Sequence, residues 1–225
     1  MILLLDILDL VILILNRSDT VDKLLIELKN YLVEKYNCHI IILYGSYARG
    51  DYTPESDIDI ICFADDTHNC NDTEVFNGKQ LDVWIYDTKC LNHPEDYLHI
   101  LNNKILFDSK DMAKDFIGKI DKIYKNGPEK LDENKKQFHR DWLKKMYNRS
   151  KKGDIEGIYR HHWMMKDSLE IYFELKGKWF LGVKNSLKWM QENDKTGYDL
   201  FKEAIVSEPG SEKCRKIIEY ITEIK

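Results

Sequence analysis

Apolar residues recur with a helical period in "TVDKLLIELKNYLVEKYN", at Val21, Leu24, Leu25, Leu28, Leu32 and Val33, which predicts a helix capped by Asp19 or Thr20. "CHIIILYG" follows as a short apolar run ending at Gly45 and reads as a buried strand. "SDIDIICFA" is a second strand, with Asp57 and Asp59 on one face and Ile58 and Ile60 on the other. "KQLDVWIYD" is a third, with Asp82, Trp84 and Tyr86 on one face. The stretch between Ala64 and Gly78 is polar and carries a turn signal at Asn77-Gly78, and "KILFDS" reads as one more short strand. From about Asp111 the pattern changes to helical segments at 111–125, about 131–149, about 154–176, about 182–193 and 212–224. Gly127-Pro128, Gly153, Gly177 and Pro209-Gly210 interrupt them. The expectation is an α/β domain over residues 1–126 and an all-α helical domain over 127–225.

Composition narrows the class. Hydrophobic residues make up 43% of the 225, enough for a core, and the net charge is -5. That balance argues against a protein living on polyanionic nucleic acid, where a basic surface supplies most of the affinity. The five cysteines are odd in number and lack tight spacing, which fits a reducing compartment and a cytoplasmic location rather than a disulfide scaffold. The opening "MILLLDILDLVILILN" has no positively charged start and no small-residue cleavage site. Its apolar run from Leu10 to Leu15 is too short to span a bilayer, and a longer span would bury Asp6 and Asp9. The expectation is no membrane insertion, and a segment that packs on the domain or on a second subunit in a homodimer.

The candidate chemistry lies in "LYGSYARGDYTPESDIDIICFA". Strand period aims Asp57 and Asp59 the same way, and two like charges that close need a cation. Asp82, near the start of another strand, could meet them from the side. Three carboxylates from two strands suit Mg²⁺, a hard cation that takes oxygen ligands and keeps room for substrate phosphates. Two such ions can activate an attacking oxygen and stabilise a leaving one. Gly45 permits a tight turn at the strand end. The Ser46 hydroxyl and nearby N–H groups could hold a phosphate, with Arg49 to neutralise its charge.

"YGSYARGDYTPESDIDI", with Asp82 in "LDVWI", resembles the signature of the nucleotidyltransferases that share the DNA polymerase β fold. The resemblance covers about residues 40–86. It implies a small mixed sheet with flanking helices, a nucleoside triphosphate such as ATP as co-substrate, and two Mg²⁺ ions. It puts Ser46 on the terminal phosphates, Asp57 and Asp59 on both ions, and Asp82 on one ion and beside the attacking hydroxyl. "MMKDSLEIYFELKGKWFLGVKNSLKWM" is similar to the helical-bundle domain of antibiotic adenylyltransferases that modify aminoglycosides, enzymes of antibiotic resistance. That likeness puts Lys184 on the nucleotide phosphates, and the prediction of a helix N-terminus nearby agrees. In this reading the helical domain forms the far wall of the cleft and chooses the acceptor.

Weaker candidates lie in the same region. Lys166 and Glu170 form an expected i,i+4 pair, and Glu170 could instead receive an amine of a cationic acceptor. Tyr159, Tyr172 and Trp179 could stack on a base or sugar. His68, Cys70, Cys90 and His93 can be written as a zinc set, but the first pair is spaced too tightly. The expected reaction is transfer of a nucleoside monophosphate to a hydroxyl of a small-molecule acceptor, an aminoglycoside first. A lincosamide, a protein or RNA acceptor, a toxin–antitoxin role and a non-catalytic nucleotide-binding module remain open.

Overall fold

The computed structural model describes residues 20–224. The apolar opening segment, and the cap expected at Asp19, lie outside them. Two compact units emerge, Met1–Lys122 and Ile123–Lys225.

The first unit begins with helix α1 (residues 20–36). Its strands are β1 (Ile40–Leu43), β2 (Ile58–Ala64), β3 (Cys70–Asp72), β4 (Val75–Phe76), β5 (Lys79–Asp87) and β6 (Lys104–Asp108). Their spatial order is β3-β5-β2-β1-β6, with β4 hairpinned onto β5. Only the β2–β5 pair is parallel among the described strands. β1 and β2 are apolar almost throughout because both of their faces are covered. On one face Leu25, Leu28 and Leu32 of α1 pack on Ile41, Leu43, Ile58, Ile60, Cys62, Leu81, Val83 and Ile85. On the other, Phe63 meets Tyr97 and Phe116 edge-on at 5.8 and 5.3 Å. Those two rings come from a 3-10 helix (Pro94–Ile100) and from α3 (Ala113–Asn126).

Two features differ from the expectation, while the expected turn at Asn77-Gly78 is present. The polar stretch after Ala64 holds two short strands, because β3 and β4 pair with β5 through backbone bonds that need no apolar pattern. Asn77 and Gly78 both have positive φ, 48° and 77°, and form the two-residue turn of the β4–β5 hairpin. Gly45-Ser46 opens a one-turn helix, α2 (Gly45–Arg49), rather than a tight turn.

The second unit contains α4 (Glu133–Ser150), α5 (Ile155–Leu175), α6 (Gly182–Asn193), α7 (Lys195–Ile205) and α8 (Glu212–Thr222). Asp132, Asp154, Asp194 and Ser211 cap α4, α5, α7 and α8 by accepting from backbone N–H groups. The sequence pattern had not predicted α7, whose first turn contains Gly197. A side chain there would come within 2.8 Å of Met190 Cε and 3.0 Å of Asp194 Oδ2. Asp194 also ties the unit together. Its carboxylate accepts from the hydroxyls of Tyr172 on α5 and Tyr220 on α8, and pairs with Lys176 Nζ at 3.1 Å. Burial would raise this carboxyl, but those donors and the Gly197 N–H outweigh it and hold it at about 2.

Candidate active site

The candidate carboxylates gather where β2 and β5 begin. In the parallel register Asp59 is the direct neighbour of Asp82, at the usual strand spacing of about 4.8 Å. Asp59 and Asp82 are half-buried, while Asp57 sits exposed just ahead of β2. Burial, followed by the charges of Asp82 and Asp57, pushes the Asp59 carboxyl above its usual range; Arg49 and the Ser46 N–H pull it back.

Backbone geometry sets α2 against this pair. The Tyr44 N–H donates to the Asp59 carbonyl at 3.0 Å. Gly45 has φ +67°, and a Cβ there would stand 1.9 Å from Asp59 Oδ2. The chain reverses over the carboxylate so closely that only glycine fits. Ser46 follows with 8% exposure. Gly50, with φ 81°, ends α2 by donating to the Ser46 carbonyl. Arg49 pairs with Asp51 at 3.2 Å, near enough to Asp59 for its charge to act there.

Sequence reasoning missed the residues around Asp82. Asn71 on β3 donates its side-chain N–H to Asp82 Oδ1 at 2.9 Å. Tyr44 and His99 meet edge-on at 5.4 Å. Burial first, then the charges of Asp59, Asp82 and Tyr86, push the Tyr44 hydroxyl up, and burial holds His99 down. No local motif announces Asn71 or His99, which the β3–β5 pairing and the 3-10 helix bring in; Tyr44 opens the quoted motif and enters with α2.

The donor chemistry fits a hard cation: oxygen ligands only, two of them adjacent by register and one raised by its like-charged neighbours. Among the described residues no three acid, histidine or cysteine side chains are closed into a ligating cluster. Asp82 Oδ1 is engaged by the Asn71 amide. The zinc set is likewise absent among the described residues.

The helical-unit candidates are scattered. Lys184 occupies the first turn of α6. Tyr159 is 70% exposed, whereas Tyr172 is a core residue bonded to Asp194. Lys166 and Glu170 do not form the expected ion pair among the described residues; Arg160 with Glu156 makes the i,i+4 pair on this helix instead. An exposed pair gains too little to hold two long side chains together. Glu170 lines a cavity of about 220 Å³ with Glu129, Glu174, Lys178, Trp179 and Phe180. His139 bonds Glu174 at 3.0 Å, and the buried Trp179 indole N–H has no partner among the described residues.

The family profile described as "Nucleotidyltransferase domain" matches residues 25–152. Two curated relatives come from Methanocaldococcus jannaschii. "Putative protein adenylyltransferase MJ0604" is 56% identical over 46 residues, 20% of this chain and 46% of that one. The chain therefore spans less than half the length of this relative. "Putative protein adenylyltransferase MJ1547" is 29% identical over 119 residues, 52% of this chain and 95% of its own. A nucleotidyltransferase-like protein from Exiguobacterium sibiricum 255-15 superposes with TM-score 0.45 and 13% identity, over 88% of this chain and 74% of that one. With the profile covering more than half of its length, the chain belongs to the nucleotidyltransferase-domain family.

Proposed function

We propose that the protein transfers a nucleoside monophosphate, AMP from ATP, to a hydroxyl of a small-molecule acceptor in a Mg²⁺-dependent reaction. The observation that carries this reading is the Asp59–Asp82 pair in one strand register, with Gly45 and Ser46 pressed against it. Asp57, Asp59 and Asp82 would hold Mg²⁺, as two ions, which supplies positive charge to the phosphate oxygens and the attacking oxygen. The Ser46 hydroxyl, with Arg49, binds the β- and γ-phosphates. Asp82 takes the proton from the acceptor hydroxyl as its oxygen bonds to the α-phosphorus. The bond from that phosphorus to the β-bridging oxygen breaks, and pyrophosphate leaves. Alignment and fixed charge supply most of the acceleration.

The acidic, aromatic cavity around Glu170 supports an amine-bearing acceptor such as an aminoglycoside. Lys166 and Tyr159, both exposed on the same helix, remain candidates for acceptor contacts. A second reading, a protein acceptor, is favoured by the names of the two archaeal relatives. The test combines labelled ATP or GTP, Mg²⁺ and a panel of aminoglycosides, lincosamides, RNA and candidate proteins. Pyrophosphate release should require one acceptor and fall at least about a hundredfold in Asp57→Ala and Asp82→Ala. Release that persists in both variants would overturn the assignment.

A further inference from the structure

The geometry points to Tyr36 and Lys35, at the end of α1, as positioning residues for the reaction: their grip on Asp72 holds Asn71 against Asp82. The inference rests on the nucleotidyl-transfer reading of the Asp59–Asp82 pair. Asn71 donates to Asp82 Oδ1 at 2.9 Å and to the Val83 carbonyl at 3.4 Å, so it orients one candidate metal ligand. Yet β3, which carries Asn71, is three residues long and lies at an edge of the sheet. Cys70 and Asn71 are exposed, so their side chains bury little that would pin the strand. A short edge with few buried contacts opens easily unless something else ties it down.

Asp72 is that tie. Strand period turns successive residues to opposite faces. Asn71 pairs with Trp84 and shares the face of Asp82, whereas Asp72 pairs with Val83 and shares the face packed by α1. There the Asp72 side chain is only 1% exposed. It accepts from the Tyr36 hydroxyl at 2.8 Å, Lys35 Nζ at 3.1 Å, the Tyr31 hydroxyl at 3.3 Å and the Glu74 N–H at 3.0 Å. Burial pushes this carboxyl up, but the Glu74 N–H, Tyr36 and Lys35 outweigh it and hold it below its usual range. Lys35 is held in turn. Its Nζ lies 5.0 and 5.1 Å from the Tyr31 and Tyr36 ring centroids and 3.1 Å from Glu74. A buried charge bonded in this way resists displacement, because moving it strands it without donors. Asn71 is the next residue along the chain. The helix thus fixes β3 from one face while the other face of the same strand engages the acid pair.

The test reads Asn71 directly, on the full chain without metal or nucleotide. Its side-chain amide is identified as the ¹⁵N–¹H pair missing from Asn71→Ala, and Asp82→Ala gives the position of that pair without its acceptor. Tyr36→Phe and Asp72→Asn should move the pair toward that position. Lys110→Met, which breaks an ion pair with Asp65 beyond the far end of β2, should leave it in place. Mn²⁺ alone, followed by EPR, is the metal probe. Its affinity should fall about tenfold in Asp72→Asn and about threefold in Tyr36→Phe. In the Asn71→Ala background neither change should cost more than about twofold, because the route to Asp82 is already cut. Tyr36→Phe carries the test if Asp72→Asn does not fold. The inference is overturned if the amide pair stays in place, if it moves without loss of Mn²⁺ affinity, or if the loss is undiminished in Asn71→Ala. Asp59→Asn judges the underlying reading separately. Parental Mn²⁺ affinity in that variant sinks the transferase site, whereas an unmoved Asn71 amide sinks only the clamp.

Discussion

Gly45→Ala separates the cost of a strained backbone from the cost of a displaced carboxylate. The added methyl would stand 1.9 Å from Asp59 Oδ2 and 2.6 Å from its Cγ. Ordinary contact begins at 3.4 Å, so the carboxylate oxygen must retreat by 3.4 − 1.9, or 1.5 Å. A misplacement of about 1 Å costs on the order of a hundredfold in rate. The positive φ of +67° adds backbone strain, about 1–2 kcal/mol for a residue with a Cβ. Gly78→Ala is the matched control, with φ +77° and nothing within 4 Å of the new methyl. Gly78→Ala should lose about 1–2 kcal/mol in urea unfolding, and Gly45→Ala at least as much. Only Gly45→Ala should lose about a hundredfold or more in pyrophosphate release, together with tight Mg²⁺–ATP binding by calorimetry. Equal activity in the two variants would refute the claim that close approach, rather than backbone shape, positions Asp59.

The remaining predictions concern Asp82 and the helical unit. Asn71→Ala frees Asp82 Oδ1 from its donor, and kcat should fall about tenfold with the KM for ATP little changed. Asn71→Gln restoring neither geometry nor rate agrees with this; an unchanged kcat in Asn71→Ala refutes it. Asp194→Ala removes the acceptor shared by Tyr172, Tyr220 and Lys176, and should cost about 3–5 kcal/mol in denaturant unfolding of the full chain. The Asp194 carboxyl is held at about 2 against an ordinary 3.8, and depression means its contribution is complete above the unfolded value. A contribution on the order of 2 kcal/mol should therefore fade as pH falls from about 4 to 2. Asp194→Asn should flatten that acid limb, and an acid limb of unaltered slope would contradict the assignment.

Periodicity made the scaffold legible wherever burial dictates composition. β1, β2 and β5 announce themselves because Ile41, Ile60 and Val83 must face α1. α6 follows its expected span of 182–193. β3 and β4 were hidden, since Cys70, Asn71 and Val75 are exposed and carry no alternation to read. α7 was hidden because Gly197 reads as a break, although close packing against Met190 demands it. The pairing of Asp59 with Asp82 could be anticipated only as far as both lie near strand starts. Their shared register needed the sheet order. Asn71 and His99 reach the acids through tertiary pairing, which no spacing encodes. The Lys166–Glu170 pair shows the opposite error: correct helical spacing, but too little energy to fix two solvated side chains.

The parallel alignment of β2 with β5 also constrains how such a protein can vary. Slipping β5 by a single residue would turn Asp82 into the layer under α1 and bring Leu81 or Val83 out in its place. Insertions in the Asp66–His68 stretch ahead of β3 change only the length of the excursion joining the two strands, at a closure cost that grows slowly. Lineages are thus free to lengthen or redecorate that turn, while an indel inside β2, β5 or the β3 segment that carries Asn71 disturbs the reaction centre in one step.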